Sequence, residues 1–188
     1  MRLSGFALGA LVLAACSTTA TPRDIDLTNA GVVFGVEACE RSVFEGVPID
    51  QAIADVARGR KFERYNSGVP GSSLTAPNWK LDGLVWAGTN QQGACDVIAL
   101  SGAGGAARDA VVAAHLSATD RKWSRMRIVA APEGETRDAV CAVDPAGEDR
   151  SVAVLMTSRV DSNVTMRRTF IATIMASKVA DCTSRLLP

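Results

Sequence analysis

The stretch of sequence that decides the fold is Thr136-Arg-Asp-Ala-Val-Cys-Ala-Val143, followed by Asp144-Pro-Ala-Gly147 and then by Ser151-Val-Ala-Val-Leu-Met-Thr-Ser158. Each outer run is largely apolar and has the length of a β-strand. Proline followed two positions later by glycine is typical of a tight turn, because proline fixes its own φ and glycine accepts left-handed conformations. The stretch therefore predicts an antiparallel hairpin.

Strands are also predicted on both sides of this hairpin. Residues Val164–Ala176 follow a turn at Asp161–Asn163 and have the two-residue periodicity of a strand. Ser124–Ala130 has the same periodicity and is separated from the hairpin by a turn around Pro132–Glu135. The second half of the chain is thus predicted to be a β-meander.

Two main helices are predicted in the first two thirds of the chain. Pro48–Arg58 has one apolar helical face, with proline in the first turn and Gly59 after the last. Ala106–Leu116 is predicted to be the second helix. Before them, the apolar run Val32–Val36 leads into Glu37–Phe44, which has room for one or two helical turns.

A second hairpin is predicted between these helices. Trp79–Ala87 and Ala94–Leu100 are apolar runs that flank the polar turn Gly88–Gly93. Lys61–Tyr65 is a further candidate strand, and Asn66–Asn78 is predicted to be a loop because it is rich in glycine, serine and proline.

These elements predict one α+β domain over residues 24–188, with an antiparallel sheet and two main helices packed on it. The chain has 188 residues, of which 47% are hydrophobic and 21% charged, so it is long enough for one substantial core and is not a disordered tail. The 20 basic residues balance the 20 acidic residues. This balance argues against nucleic acid as a partner, because phosphate binding needs an excess of Lys and Arg.

Residues 1–15 have the three parts of a secretory signal: a charge at Arg2, a short apolar run, and small residues before a cysteine. The run Leu3–Ala15 would form a helix of about 20 Å, too short for a hydrocarbon core of about 30 Å. The box Leu13-Ala14-Ala15-Cys16 resembles the lipobox of bacterial lipoproteins. The resemblance is confined to residues 1–16, and the folded domain resembles no family specifically enough to carry over functional residues.

The lipobox resemblance implies that Cys16 becomes the first mature residue and carries a diacylglycerol and often a third acyl chain. Two or three acyl chains anchor a protein stably in a bilayer, whereas one is marginal. Ser17 after the cysteine implies the outer membrane, with the domain facing the periplasm. Residues 16–23 are then the lipidated cysteine and a short flexible tether, and the lipid bilayer is the first predicted partner.

The remaining cysteines are Cys39, Cys95, Cys141 and Cys182. An even number in an exported chain predicts two disulfides. Four cysteines allow three pairings, and we favour Cys39–Cys95 with Cys141–Cys182 because each pair then lies within one half of the chain. Scattered cysteines with a single histidine, His115, do not predict a metal site, since the common spacing motifs are missing.

The candidate sites all have simpler structural explanations. Gly102–Ala107 matches G-x-G-x-x-A, but the strands around it are predicted to be antiparallel, so a tight turn is favoured over a phosphate loop and no cofactor is expected. His115 lies in an Ala/Val-rich helix and is interpreted as a structural histidine. Paired-carboxylate chemistry has six candidate aspartates, of which no pair stands out: Asp82, Asp96, Asp109, Asp138, Asp144 and Asp161.

A local basic run surrounds Trp123, the third tryptophan after Trp79 and Trp86. On a strand, Arg121, Trp123, Arg125 and Arg127 would share one face. Trp123, Arg125 and Arg127 are therefore the candidate residues for binding anionic headgroups or an acidic partner, although a solvated face and tryptophans packed in the core are the simpler interpretation.

Two functions follow as hypotheses. The first is a non-enzymatic envelope lipoprotein that binds or assembles with an envelope protein or polymer, without catalytic residues. The second is a lipid-anchored hydrolase that acts on cell-wall or surface polymer through carboxylates or His115. A pocket that brings His115 together with two carboxylates would favour the hydrolase, and a closed core with an exposed Trp/Arg face would favour the binding protein.

Overall fold

The computed structural model describes residues 22–69, 73–82, 85–100, 104–128, 130–143, 149–159, 168–177 and 179–184. Within these ranges the chain forms four helices and eight strands. In chain order they are α1 (Pro22–Glu45), α2 (Ile49–Val56), β1 (Glu63–Tyr65), β2 (Leu74–Lys80), β3 (Val85–Asn90), β4 (Cys95–Leu100), α3 (Gly104–Ser117), β5 (Trp123–Arg125), β6 (Glu135–Val143), β7 (Ser151–Arg159), β8 (Arg168–Ser177) and α4 (Val179–Thr183).

The strands form one sheet in the order β1-β2-β3-β4-β8-β7-β6-β5. Every neighbouring pair is antiparallel, which confirms the predicted α+β class with an antiparallel sheet. The first four strands and the last four each form a meander. The two meanders meet where β4 pairs with β8, so the last strand of the chain joins the two halves of the sheet.

The hairpin predicted around Asp144–Gly147 is present. Strands β6 and β7 pair in continuous register from Val143↔Ser151 to Glu135↔Arg159. The turn residues themselves, like the predicted turn at Asp161–Asn163, lie outside the described residues.

In the first half of the chain, β2 and β3 begin and end at residues other than those predicted. The predicted loop Asn66–Asn78 ends earlier, because β2 begins at Leu74. The predicted strand Trp79–Ala87 is split between β2 and β3, and the amide of Leu81 donates to the Val85 carbonyl across the turn. Strand β3 then continues to Asn90 through what was predicted to be a turn. The glycine, serine and proline content of residues 66–78 predicts a loop and gives no sign that β2 begins within this segment. The buried Asn78 of β2 is stabilised by donating its side-chain amide to the Ser67 carbonyl, 2.7 Å away.

The largest error concerns α1. A helix of one or two turns was predicted at Glu37–Phe44, but α1 is 24 residues long and includes Pro22 and Arg23 of the predicted tether. Gly31 and Gly35 lower the helix propensity of the segment. Both are needed for packing, because a Cβ on Gly31 would lie 2.6 Å from the Asp82 carbonyl oxygen, and one on Gly35 would lie 2.9 Å from side-chain atoms of Leu81 and Val97.

The main core lies between one face of the sheet, here called the helix face, and the helices. Helix α1 packs on β3, β4 and β8, helix α3 packs on β6, β7 and β8, and α2 packs on α1. The core is mostly small β-branched and alanine side chains, with Phe170 and Ile174 as its larger members in β8. The helices Pro48–Arg58 and Ala106–Leu116 are confirmed as α2 and α3, with somewhat different ends.

The opposite face of the sheet, here called the open face, is covered only in part by the described residues. Val69 and Leu74 pack on Ile98 at one side. Helix α4 packs on β6 and β7 at the other side, where Cys182 joins a small cluster with Ala139 and Ala153. Between these two covers, side chains of β7 and β8 form the floor of a cleft.

Both predicted disulfides are present with the favoured pairing. Cys39–Cys95 joins α1 to β4 on the helix face, and Cys141–Cys182 joins β6 to α4 on the open face. All four cysteines are at most 5% exposed. Each layer that packs on the sheet is therefore held to it by one covalent bond.

Candidate functional site

His115, the single histidine, lies in the core between α1 and α3. Its Nδ1 is 2.6 Å from the Val111 carbonyl oxygen, and its Nε2 is hydrogen-bonded to Glu40 Oε1. The ring also packs edge-on against Trp123, with 4.4 Å between the ring centroids. The side chains of His115 and Glu40 are only 7% and 12% exposed.

This geometry favours the doubly protonated imidazolium. A carbonyl oxygen accepts and cannot donate, and a carboxylate also accepts, so both ring nitrogens are required to donate. Burial lowers the pKa of His115, but the hydrogen bonds that its ring donates to Glu40 and to the Val111 carbonyl, together with the negative charges of Glu40 and Asp120, raise the pKa by more. The pKa of His115 therefore lies above its usual value, and the pair is a buried ionic link between two helices.

The structure does not form the predicted Trp/Arg face. Trp123 is 8% exposed and packs on His115 and Phe44 in the core. Arg121 lies over the Phe44 ring, 4.0 Å from its centroid, while Arg125 is exposed on β5. Because β5 is only three residues long, its alternation does not extend across the whole basic run. The burial of Trp123 agrees with the simpler interpretation of a tryptophan packed in the core, and a binding role for Arg125 and Arg127 stays a prediction.

Of the predicted binding residues, Arg127 lines a depression. This depression lies on the open face and also contains Ile128, Asp138 and Ser184. It shares Arg137, Leu155 and Thr157 with a second cleft beside it, so the two form one strip across β6 and β7.

This second cleft has a volume of about 570 Å³, the same as the depression, and crosses β4, β8, β7 and β6; we call it the open-face cleft. Its floor is formed by half-buried side chains of Leu155, Thr157, Ile171, Thr173 and Met175. One wall carries the ion pair between Glu135 and Arg137, whose Oε2 and Nη2 are 3.4 Å apart. The other wall is polar and contains Ser73, Asn90, Gln92 and Asp96.

Hydrogen bonds fix the Asp96 wall. Ser73 Oγ donates to Asp96 Oδ2 at 2.6 Å, and Asn90 Nδ2 donates to Asp96 Oδ1 at 3.1 Å. The amide orientation of Asn90 is determined independently, because its Oδ1 accepts the backbone amides of Gln92 and Ala94. The turn after β3 thus holds the amide group that faces Asp96.

The other predicted candidates do not line this cleft, although Asp138 lines the depression beside it. Asp82 is 3.7 Å from Arg60, Asp109 is 2.7 Å from Arg108, and Asp138 accepts the amide of Ala139. Asp144 and Asp161 lie outside the described residues. Trp79 is buried in the core, and Trp86 is half-buried on the open face with Lys80 Nζ 5.7 Å from its ring centroid.

In the sequence, the glycine motif Gly102–Ala107 follows β4 and includes the start of α3. Gly102 and Ala103 lie outside the described residues, and α3 begins at Gly104. Strand β4 before it pairs antiparallel with both of its neighbours. Helix α3 therefore connects two meanders and not two parallel strands, as the antiparallel pattern around it predicts.

Within the described ranges no three His, Cys, Asp or Glu residues are grouped so that they could hold a metal ion. No described helix combines the length and the apolar character needed to cross a bilayer. Comparisons with protein families, with curated proteins and with solved structures gave no match to this chain. The open-face cleft is the candidate site on its geometry alone.

In the sequence, Asp96 is one of six candidate aspartates and is not singled out from the others. A signal for it was present, because it is an acidic residue inside the apolar strand Ala94–Leu100. A charge at an interior strand position needs specific hydrogen-bond partners. Ser73 and Asn90, which supply them, come from segments predicted to be loop and turn.

Proposed function

We propose that this chain is an exported lipoprotein, held at the bacterial outer membrane by an acylated Cys16, whose domain binds an envelope protein or polymer without catalysing a reaction. The observation that carries the proposal is the use of the five cysteines. Four form two buried disulfides, and the fifth is the cysteine of the Leu13–Cys16 box. Each cysteine then has one chemical role.

The disulfides support export. Structural disulfides form and persist in oxidising compartments such as the periplasm, and they are rare where thiols are kept reduced. Both pairs are buried against the sheet, so they belong to the stable fold and are not surface redox groups.

The position of α1 supports close tethering. It begins at Pro22, six residues after Cys16, and a chain of six residues spans at most about 20 Å when fully extended. A domain anchored through Cys16 therefore stays next to the lipid headgroups. A partner would have to be within reach of that surface.

The core position of His115 favours binding over hydrolysis. Both ring nitrogens are hydrogen-bonded, and the side chain is buried under Trp123. A general base has to reach the proton that it removes. The open-face cleft lies on the other side of the sheet from His115, so the imidazole cannot act as a catalytic group in that cleft.

Metabolic labelling with an alkyne fatty acid tests the anchor. We expect the wild-type chain to be labelled and to sediment with membranes, and mass spectrometry should find Cys16 as the modified first residue. Cys16→Ser should lose the label, whereas Ser17→Ala, the matched control, should keep it. An intact initiator Met1 on soluble material with all five thiols free would refute the proposal.

Binding is tested by recovery of the acylated protein from solubilised envelopes after mild cross-linking. We expect a defined complex of constant stoichiometry. Turnover of a wall fragment by the purified protein, with no such complex, would instead establish the hydrolase.

A further inference from the structure

Asp96 presents a nearly desolvated carboxylate to the open-face cleft. The residue is 2% exposed and lines the polar wall. Its hydrogen-bond partners, Ser73 Oγ and Asn90 Nδ2, both donate to its side-chain oxygens. Buried acidic groups are rare unless they are paired.

Asp96 has no cationic partner in the described part of the chain. The salt bridges found there use other carboxylates, and the arginine of the same cleft pairs with Glu135 on the opposite wall. Ser73 and Asn90 are neutral, so they satisfy hydrogen bonds and leave the charge uncompensated. A buried charge without a counter-ion is costly, and a bound cation would remove that cost.

The surroundings of Asp96 define what such a cation would be attached to. Across the β4–β8 pairing, Asp96 is directly opposite Thr173, and the floor beyond it carries Leu155, Ile171 and Met175. These side chains are half-buried. A ligand that places a cation at Asp96 would therefore lay an apolar body on the floor of the cleft.

We infer that the open-face cleft binds a primary ammonium or guanidinium group carried on an apolar body, with Asp96 as its counter-ion. The inference deepens the proposed binding function by naming the chemistry of the ligand. The cation has two possible sources, a free amine or a lysine or arginine side chain of a protein partner. Both use the same contacts at Asp96.

The test is an NMR titration of the purified, full-length mature protein with labelled methyl groups, read at Leu155, Ile171 and Met175. The probes are n-butylammonium, the neutral n-butanol, and lysine blocked at both its amino and carboxyl termini. We expect saturable shifts with butylammonium at least tenfold tighter than with butanol, and weaker binding at high salt. Tighter binding of blocked lysine than of butylammonium would assign the site to a protein partner, and the reverse to a free amine.

Asp96→Asn removes the charge and keeps the shape, and we expect it to weaken butylammonium binding at least tenfold. Asp109→Asn, an exposed aspartate on α3, is the matched control and should bind as wild type does. Equal binding of butylammonium and butanol, or full binding by a folded Asp96→Asn, would overturn the inference and leave Asp96 a structural bridge between Ser73 and Asn90.

A second variant covers the case in which Asp96→Asn does not fold. Thr173→Lys would place an ammonium opposite Asp96 within the chain itself and should block the probe, while Thr173→Met should still bind it. Equal binding by the two Thr173 variants would overturn the inference. A negative acylation experiment would refute the membrane anchor and would not change the result of this titration. The two proposals can therefore be refuted independently.

Discussion

Removing either partner of the Glu40–His115 pair should destabilise the fold strongly, and removing both should not. The two side chains are 12% and 7% exposed, and the imidazole also donates to the Val111 carbonyl. Truncating one partner of a buried ion pair costs about 3–5 kcal/mol, because the other charge is left uncompensated. Since Glu40 keeps some contact with water, we expect about 3 kcal/mol for Glu40→Gln.

The double variant Glu40→Leu/His115→Leu replaces the pair with apolar groups of similar size. Such replacements are often neutral or stabilising, so we expect its unfolding free energy to lie within about 1 kcal/mol of wild type. Urea unfolding of the two single variants and the double variant gives the coupling energy directly. Glu37→Gln, at an exposed ion pair on the same helix, is the control and should change stability by under about 0.5 kcal/mol.

The same pair predicts a pH dependence with a defined sign. The pKa of His115 is raised on folding, so its contribution is complete below the unfolded value of about 6.5 and is lost as the pH rises through the folded value. His115 is the only histidine in the chain. Above pH 6.5 the unfolding free energy of wild type should therefore fall relative to that of His115→Leu. A difference that is constant from pH 6 to 9, or a cost below about 1 kcal/mol for Glu40→Gln, would refute the reasoning.

Three further predictions concern the fold. Replacing Cys141 and Cys182 together by serine should cost about 4 kcal/mol by the loop-entropy relation for a separation of 41 residues, measured by urea unfolding of the variant against wild type, both under oxidising conditions so that Cys39–Cys95 stays formed. Gly35→Ala should cost about 1–3 kcal/mol because its Cβ meets Leu81 and Val97, and a melting temperature equal to that of wild type would contradict the close packing of α1. Trp123→Ala should cost about 3–5 kcal/mol, whereas Arg125→Ala should change the unfolding free energy by under about 0.5 kcal/mol; equal effects would show that Trp123 is not a core residue.

The parts of the fold that sequence reasoning predicted are those in which local pattern and tertiary packing agree. Residues 136–158 contain two largely apolar runs on either side of a strong turn signal, and β6 and β7 pair along their whole length. Helix α2 has one apolar face and a proline and a glycine at its ends. The disulfide pairing followed from keeping each bond within one half of the chain.

The parts that failed depend on contacts distant in sequence. Helix α1 contains glycines that lower its propensity, and only the approach of Leu81, Asp82 and Val97 explains why they are there. The candidate site failed for the same reason. Asp96 becomes distinctive only when Ser73 and Asn90 reach it, and neither contact has a local signature.

The position of β8 has a consequence for how the molecule is made. A chain is synthesised from its amino end, so β8 is the last of these strands to be made. Until residue 177 has emerged, one edge of β4 and one edge of β7 have no partner strand. Cys141 must also wait for Cys182, which lies beyond β8. A truncation just before β8 would therefore leave the two halves of the sheet unjoined and Cys141 without its disulfide partner, although most of the strands would be present.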